Sequence, residues 1–236
     1  MARRTSASTA PAPTAVVPRV PLQRERVLRA AIDLADERGL GALTMRRLAE
    51  ALGVEAMTLY YHVANKEDLL AGMVDLVVAE MELPTPMSDW RGAIRRAAVS
   101  QHDVLVRHPW AASQMLSGGV RDSRLRYMDA LLGSLRAAGF SAEMTHHAYH
   151  ALDSHVMGFT LWQVGIDRGL SQLPGTIDDF LARLDQDALP SLAEHIEQHL
   201  RPEVDGVSEF DFGLGLLLDG LERLRLRELE DGSAAG

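Results

Sequence analysis

Thr44-Met-Arg-Arg-Leu-Ala-Glu-Ala-Leu-Gly-Val-Glu-Ala-Met-Thr-Leu-Tyr-Tyr-His-Val-Ala-Asn-Lys66 holds two short helical patterns that meet at Gly53. Leu48, Ala49 and Leu52 give the first pattern an apolar face, and Val54, Leu59 and Val63 carry that face through the second. Glycine at the join supplies the positive φ that a tight helix-to-helix turn needs. The second helix, expected over about Glu55 to Tyr61, is then left with Ala56, Met57, Thr58, Tyr60, Tyr61 and His62 pointing outward. That is a helix-turn-helix pattern, with a second helix of the size that lies in a DNA major groove.

The rest of the chain reads as helix, without sustained period-2 alternation or a hairpin signal. The first helix is expected over about Leu22 to Arg38, with Val27, Leu28, Ala31, Ile32 and Ala35 on one side and Gly39 as its stop. Thr44 suits the N-cap of the second. Asn65 caps a fourth helix, with Asp68 at the capping-box position, and that helix runs to about Glu82. Pro84 and Pro86 then mark a domain boundary. Beyond it, Ser88 caps a helix ending at His108, and Pro109 suits the first turn of a short helix through Met115. Further helices are expected over about Arg121 to Ala138, from the Ser141 cap to Arg168 with Gly169 as the stop, and from Ser208 to about Leu229. Residues 171–208 carry only two weak amphipathic stretches.

Net charge is −9, which at first argues against a nucleic-acid partner. Its distribution reverses the argument: residues 1–62 hold nine Arg against six acidic residues, and the remainder carries a net charge of −12. A mildly basic head on an acidic body suits a localised DNA contact. The chain contains no cysteine, so disulfides, thiolate metal sites and cysteine nucleophiles are absent. No apolar run reaches the roughly 18 residues that span a bilayer. The Ala/Pro/Thr-rich stretch 1–21 lacks a signal-peptide h-region and reads as a disordered tail, which favours a cytoplasmic location.

Three segments bring a known family into view: Leu43-Thr-Met-Arg-Arg-Leu-Ala-Glu-Ala-Leu-Gly-Val54, Thr58-Leu-Tyr-Tyr-His-Val63 and Asn65-Lys-Glu-Asp-Leu-Leu70. In this order and spacing they resemble the DNA-binding domain of TetR-family transcriptional repressors. His108-Pro-Trp110, Ala151-Leu-Asp-Ser-His-Val-Met-Gly-Phe159 and Gly213-Leu-Gly-Leu-Leu-Leu-Asp-Gly-Leu221 resemble the tetracycline-repressor-like C-terminal domain. The resemblance implies an all-α protein with a tail over 1–21, a three-helix DNA-binding domain over 22–83 and an effector-binding and dimerisation domain over 84–236. It implies a ligand-responsive repressor that binds a pseudo-palindromic double-stranded DNA operator as a homodimer. Arg46 then reads guanine, Ala56, Met57 and Thr58 touch bases, and Thr44, Tyr60, Tyr61, His62 and Lys66 touch phosphate and sugar. Of the two tyrosines, Tyr60 is the one expected to pack inward.

An effector pocket in such a body would be mostly apolar with a few polar groups. Its candidates are His102, Trp110, Met115, Tyr127, Met128, His150, Asp153, Met157, Phe159 and Trp162. Gly158 and Gly165 are seven residues apart on one helix, as are Gly213 and Gly220 on the last, and both pairs point to close helix approach. Gly158, Gly165, Leu214, Leu217 and Leu221 are therefore expected at the dimer interface. His146, His150 and Asp153 share one helical face at metal-ligand spacing, but solvated histidines are the default and no metal or cofactor is expected. Tetracycline-binding relatives hold a magnesium chelate through a histidine, and the corresponding stretch here reads Ser113-Gln-Met-Leu116, which points to another effector. Asp153-Ser154-His155 has the residue types of a catalytic triad, yet consecutive helical residues diverge by about 100°, so no enzyme is expected. The competing function is a helical adapter that uses the helix-turn-helix to bind protein.

Overall fold

Apolar spacing builds the first helix: Val27, Leu28, Ala31, Ile32, Leu34 and Ala35 all lie buried along α1 (Arg24–Arg38). The computed structural model describes residues 22–86, 89–117, 122–171, 179, 182–200 and 208–234. Residues 1–21, expected as a tail, lie outside them, as do Ser88 and Gly118-Gly119, a pair whose sequence reads as a break between helices. A short 3-10 turn (Leu40–Ala42) leads into α2 (Met45–Leu52), whose first turn is closed by Thr44, its hydroxyl accepting from the Arg47 N–H. Gly53 adopts φ 66°, ψ 35°, and the Gly53 and Val54 N–H groups bond back to Glu50 and Ala49. A side chain in this left-handed conformation would cost about 1–2 kcal/mol.

α3 is shorter than the sequence pattern promised. Regular helix covers Ala56–Leu59 only, and Tyr60, Tyr61 and His62 close i→i+3 bonds onto Met57, Thr58 and Leu59. Leu59 and Val63 both lie in the core, and the Val63 N–H bonds back to the Leu59 carbonyl at 3.0 Å. In α4 (Lys66–Val78), Asn65 caps as expected by accepting from the Asp68 N–H at 2.7 Å. The Asp68 carboxylate does not close the reciprocal capping-box bond to Asn65. It accepts from the Ala64 N–H at 2.9 Å and from both arms of Arg24 at 2.9 and 2.7 Å. Arg24 also donates to the His62 carbonyl at 2.7 Å, so one guanidinium ties the start of α1 to the end of the recognition segment. A Cβ added at Gly72 of α4 would sit 2.8 Å from both Leu28 methyl carbons, which shows how closely α1 and α4 approach. α4 ends at Val78 and not near Glu82, because i→i+3 bonds from Glu80 and Met81 tighten the chain and bury Met81.

Among the described residues the body contains α5 (Trp90–Arg107), α6 (Pro109–Ser117), α7 (Asp122–Ala137), α8 (Ala142–Ser171), α9 (Pro190–Leu200) and α10 (Glu209–Ala234). Asp89 caps α5 by accepting from Gly92, the role expected of Ser88. Ser141 and Ser208 cap α8 and α10 as anticipated, through bonds from Met144 and Asp211. α8 runs past Gly169 to Ser171, and α10 past Leu229 to Ala234. α9 arises in the stretch that carried only a weak pattern, with Ala193 as its buried residue. No strand occurs among the described residues.

α5, α8 and α10 pack around Ile94, Leu105, Leu152, Val156, Leu214 and Leu218, all within 2 % of full burial. The buried residues of head and body form one continuous cluster, joined through Val74 and Val78 of α4 and Trp110 and Ala111 of α6. Two histidines stack on Phe210 in this core, His102 at 4.1 Å and His155 at 5.1 Å between ring centroids. The Thr160 hydroxyl donates to the Val156 carbonyl at 2.6 Å, so its oxygen accepts the Nδ1–H of His102 at 2.8 Å.

Burial holds the His102 imidazole below its ordinary value near 6.5. The unfolded chain therefore binds this proton first as pH falls, and stability drains away below about pH 6.5. The thermal midpoint is expected to fall between about pH 7.5 and about pH 5.5. His102→Gln, which keeps a donor for Thr160, is expected to flatten that slope in a calorimetric series. An unchanged slope would assign the effect to other groups.

Candidate DNA interface and effector site

The outer face of the helix-turn-helix is a row of large side chains left in water. The Arg46 side chain is 88 % exposed, and Tyr61 and Met57 are 87 % and 70 % exposed as residues. Thr44, Ala56 and Lys66 are exposed too, while Thr58 and His62 are half-buried. Behind them Leu48, Leu59 and Val63 are fully buried and fix the segment to α1 and α4. Neither tyrosine packs inward. Tyr60, expected to do so, is 47 % exposed, because Leu59 and Val63 already fill the space behind α3. In the free protein Arg46 is held along α2 by Glu50, with Nε 2.9 Å from Oε1. Arg47, exposed on the same helix, donates to the Ala42 carbonyl at 3.3 Å.

The residues expected to line one pocket separate into several groups. Tyr127, Asp153 and Met115 come together between α6, α7 and α8, around an arginine the sequence reading missed. Arg124 donates to the Met115 carbonyl at 2.7 Å and approaches the Asp153 carboxylate at 3.7 Å. Both of that pair's side chains are more than three-quarters buried. Burial raises the Asp153 carboxyl above its usual range, with Arg124 and then His150 opposing it. Burial likewise raises the phenols of Tyr127 and Tyr149. Ser123 donates to Asp75 at 2.5 Å, which brings α4 to the edge of this polar group. Asp122–Arg126 is an acidic and basic helix start with no apolar signature, so nothing in it marked Arg124 as inward-facing.

His102 and Met157 lie in the α5–α8–α10 core, Met157 accepting from the Gln101 amide at 3.6 Å, and Phe159 packs beside them. Trp110 is buried against Asp36 of α1, its indole N–H 2.7 Å from the carboxylate. Met128 is half-buried on α7. His150 and Trp162 sit on the surface, outside the enclosed group expected of them, because α8 turns them away from α5 and α7. A separate cleft of about 470 Å³ lies along α5, lined by Glu80, Glu82, Arg96, Asp103 and Arg107 among others, and takes in none of the expected pocket residues.

Residues 27–73 match the family model described as bacterial regulatory proteins, tetR family, and residues 83–225 match the tetracyclin repressor-like C-terminal domain. The chain belongs to the TetR family. It is 33 % identical over 215 residues to the tetracycline repressor protein class C of Escherichia coli, covering 87 % of this chain and 93 % of that one. Among solved structures it resembles the Streptomyces coelicolor TetR-family protein ActR in complex with actinorhodin, at TM-score 0.66 and 26 % identity over 87 % of this chain and 99 % of that one. It also resembles BioQ with its double-stranded DNA operator, at TM-score 0.57 and 28 % identity over 85 % and 98 % of the two chains. TetR-family repressors are DNA-binding proteins that respond to ligands, and this chain is one of them.

In this TetR-family repressor the expected interface residues divide. Leu214 and Leu221 are 0 % and 6 % exposed inside the subunit, so the stripe they begin belongs to its core and not to a partner. Gly213 packs there as well, with the His155 ring occupying the space of its missing side chain. Leu217 is half-buried. Gly158 and Gly165 are not packed against a neighbouring helix: a Cβ at either would meet nothing within 4 Å. They share a face of α8 with Trp162 and Ile166, 48 % and 42 % exposed, while Phe212 and Leu216 stand 64 % and 58 % exposed on α10. Asp153 turns to Arg124 and His155 to the Phe210 carbonyl, so the triad residue types point apart as helix geometry requires. His146 and His150 approach to 4.6 Å between ring centroids, and among the described residues no three such side chains are placed to hold a metal.

Proposed function

We propose that the chain represses transcription as a homodimer, each subunit laying α3 in a major groove of a pseudo-palindromic operator. The observation that carries this is the exposed row of Arg46, Met57, Tyr60 and Tyr61, large side chains with no inward role on a segment locked from behind. Arg46 suits bidentate reading of guanine O6 and N7, and Ala56 and Met57 suit apolar contact with thymine methyl groups. Thr58 suits a base edge as well, and Thr44, Tyr60, Tyr61, His62 and Lys66 suit phosphate and sugar. The BioQ complex with its operator supports the DNA partner. Such DNA lies in the cytoplasm, and no described helix is long and apolar enough to cross a membrane.

The polar group between α4, α6, α7 and α8 is our effector site. Arg124, Asp153, Tyr149 and Tyr127, with Met115 beside them, suit a largely apolar small molecule bearing hydroxyl or acidic oxygens. ActR in complex with actinorhodin supports a small-molecule ligand for a body of this shape. Release of DNA requires that the effector bind the DNA-free arrangement more tightly than the DNA-bound one. The exposed faces of α8 and α10 supply the dimer contact.

Titration against DNA upstream of the protein's own gene, at two salt concentrations and beside unrelated DNA, tests the reading. Specific binding at two subunits per site is expected, with affinity falling steeply as salt rises. Lys66→Ala is expected to weaken all sequences alike and to lower the salt slope by about one. No preference over unrelated DNA, repeated after selection from a random pool, would overturn it and favour the adapter.

A further inference from the structure

Among the contacts between head and body, one carboxylate is held by two donors at once. Asp36, near the C-terminal end of α1, has both oxygens engaged by the α5–α6 junction. Its Oδ2 lies 2.8 Å from His108 Nδ1, and its Oδ1 accepts from the Trp110 indole at 2.7 Å. The other ring nitrogen of His108 faces Glu80, just past α4, at 3.5 Å. The His108 side chain is 12 % exposed and Trp110 is buried, so the body's half of the grip is shielded from water while Asp36 reaches it from the exposed side of α1. Pro109 starts α6 directly after His108, its fixed φ suited to the helix's first turn, so the two gripping residues flank that start. At the other end of α6, about 13 Å away for nine residues, Arg124 takes the Met115 carbonyl. α6 therefore spans from the polar group of the body to the first helix of the head.

We infer that Asp36, gripped by His108 and Trp110, is the positioning residue through which α6 sets the angle of the DNA-binding head. The inference rests on the repressor reading only for its use, since the contact itself needs neither DNA nor effector. Two donors on one carboxylate fix direction as well as distance, and a shift of α6 along its axis pulls α1 with it. The conservative change Asp36→Asn would keep an oxygen for Trp110 and supply an amide that can donate to Nδ1 of the other histidine tautomer. The change Asp36→Ala would leave both partners unanswered.

The absence of cysteine permits a clean measurement. Ala51→Cys on α2 and Leu125→Cys on α7 are both exposed positions and take nitroxide labels in the full-length chain, diluted with unlabelled protein so that only distances within a subunit count. Pulsed dipolar spectroscopy is expected to give one narrow distance in the parent. Asp36→Ala is expected to broaden or shift it, and Asp36→Asn to restore it. On an operator selected from random DNA, Asp36→Ala is expected to weaken affinity about tenfold with the salt slope unchanged, since no phosphate contact is lost. Trp110→Phe, which keeps the buried ring but removes the donor, is the second variant should Asp36→Ala fail to fold, and is expected to broaden the distance as well. Identical distributions in parent and variants would overturn the inference. A chain that bound no DNA yet showed the broadening would instead sink the repressor reading and leave the junction standing.

Discussion

A chain carrying Phe212→Glu and Leu216→Glu is expected to sediment at half the mass of the parent and to lose its operator by a factor of about 10²–10⁴. Both side chains stand mostly in water within the subunit, so the substitutions remove no core contact and the monomer should keep its helicity and its cooperative unfolding. The loss of DNA binding follows from mass action. Two heads joined in a dimer bind the second half-site at an effective concentration that separate heads never reach. Half-sites one helical turn apart, roughly 34–36 Å, also require the heads to be held at a matching separation. Leu221→Glu is the informative contrast: that residue is 6 % exposed in the subunit core, so a charge there should unfold the body and lower the thermal midpoint. Unchanged mass for the Phe212/Leu216 variant would rule out α10 as the interface.

Arg46→Ala is expected to cost about 1–3 kcal/mol on the operator and to relax preference at one base pair in each half-site. The free protein adds a second expectation. Glu50 holds the Arg46 guanidinium along α2, and base reading requires that bond to be given up. The pair is exposed, so its strength is small and salt-dependent. Glu50→Gln is expected to raise operator affinity modestly in the parent and to change nothing in the Arg46→Ala background. A double-mutant cycle on selected DNA reads both. Uniform weakening across all sequences by Arg46→Ala would reassign it to the phosphate backbone.

Much of the head was legible in advance because each of its signals is local. A threonine at a cap, a glycine at a left-handed turn and an apolar spacing of three and four act within a few residues, and Thr44, Gly53, Leu48 and Leu59 behave as their types dictate. The extent of α3 was not legible, since apolar spacing over so short a segment does not distinguish i→i+3 from i→i+4 bonding. In the body, periodicity located helices but left open which face meets a neighbour and which meets a partner. Leu214 and Leu221 read equally well as either, and only the approach of α8 to Gly213 decides. Arg124 was invisible for the opposite reason. Its partners Asp153 and Met115 lie 29 and nine residues away, and a charged residue in a helix's first turn reads as solvated.

The contact between Gly72 and Leu28 bears on how this protein can change over generations. No side chain fits at position 72 while Leu28 keeps its rotamer, and Leu28 is itself buried. A side chain at 72 is therefore tolerated only after Leu28 has given way: a smaller residue at 28 opens room for alanine at 72, and glycine at 72 keeps leucine admissible at 28. The two positions are bound to drift as a pair, and in related chains the volume gained at one should be matched by volume lost at the other.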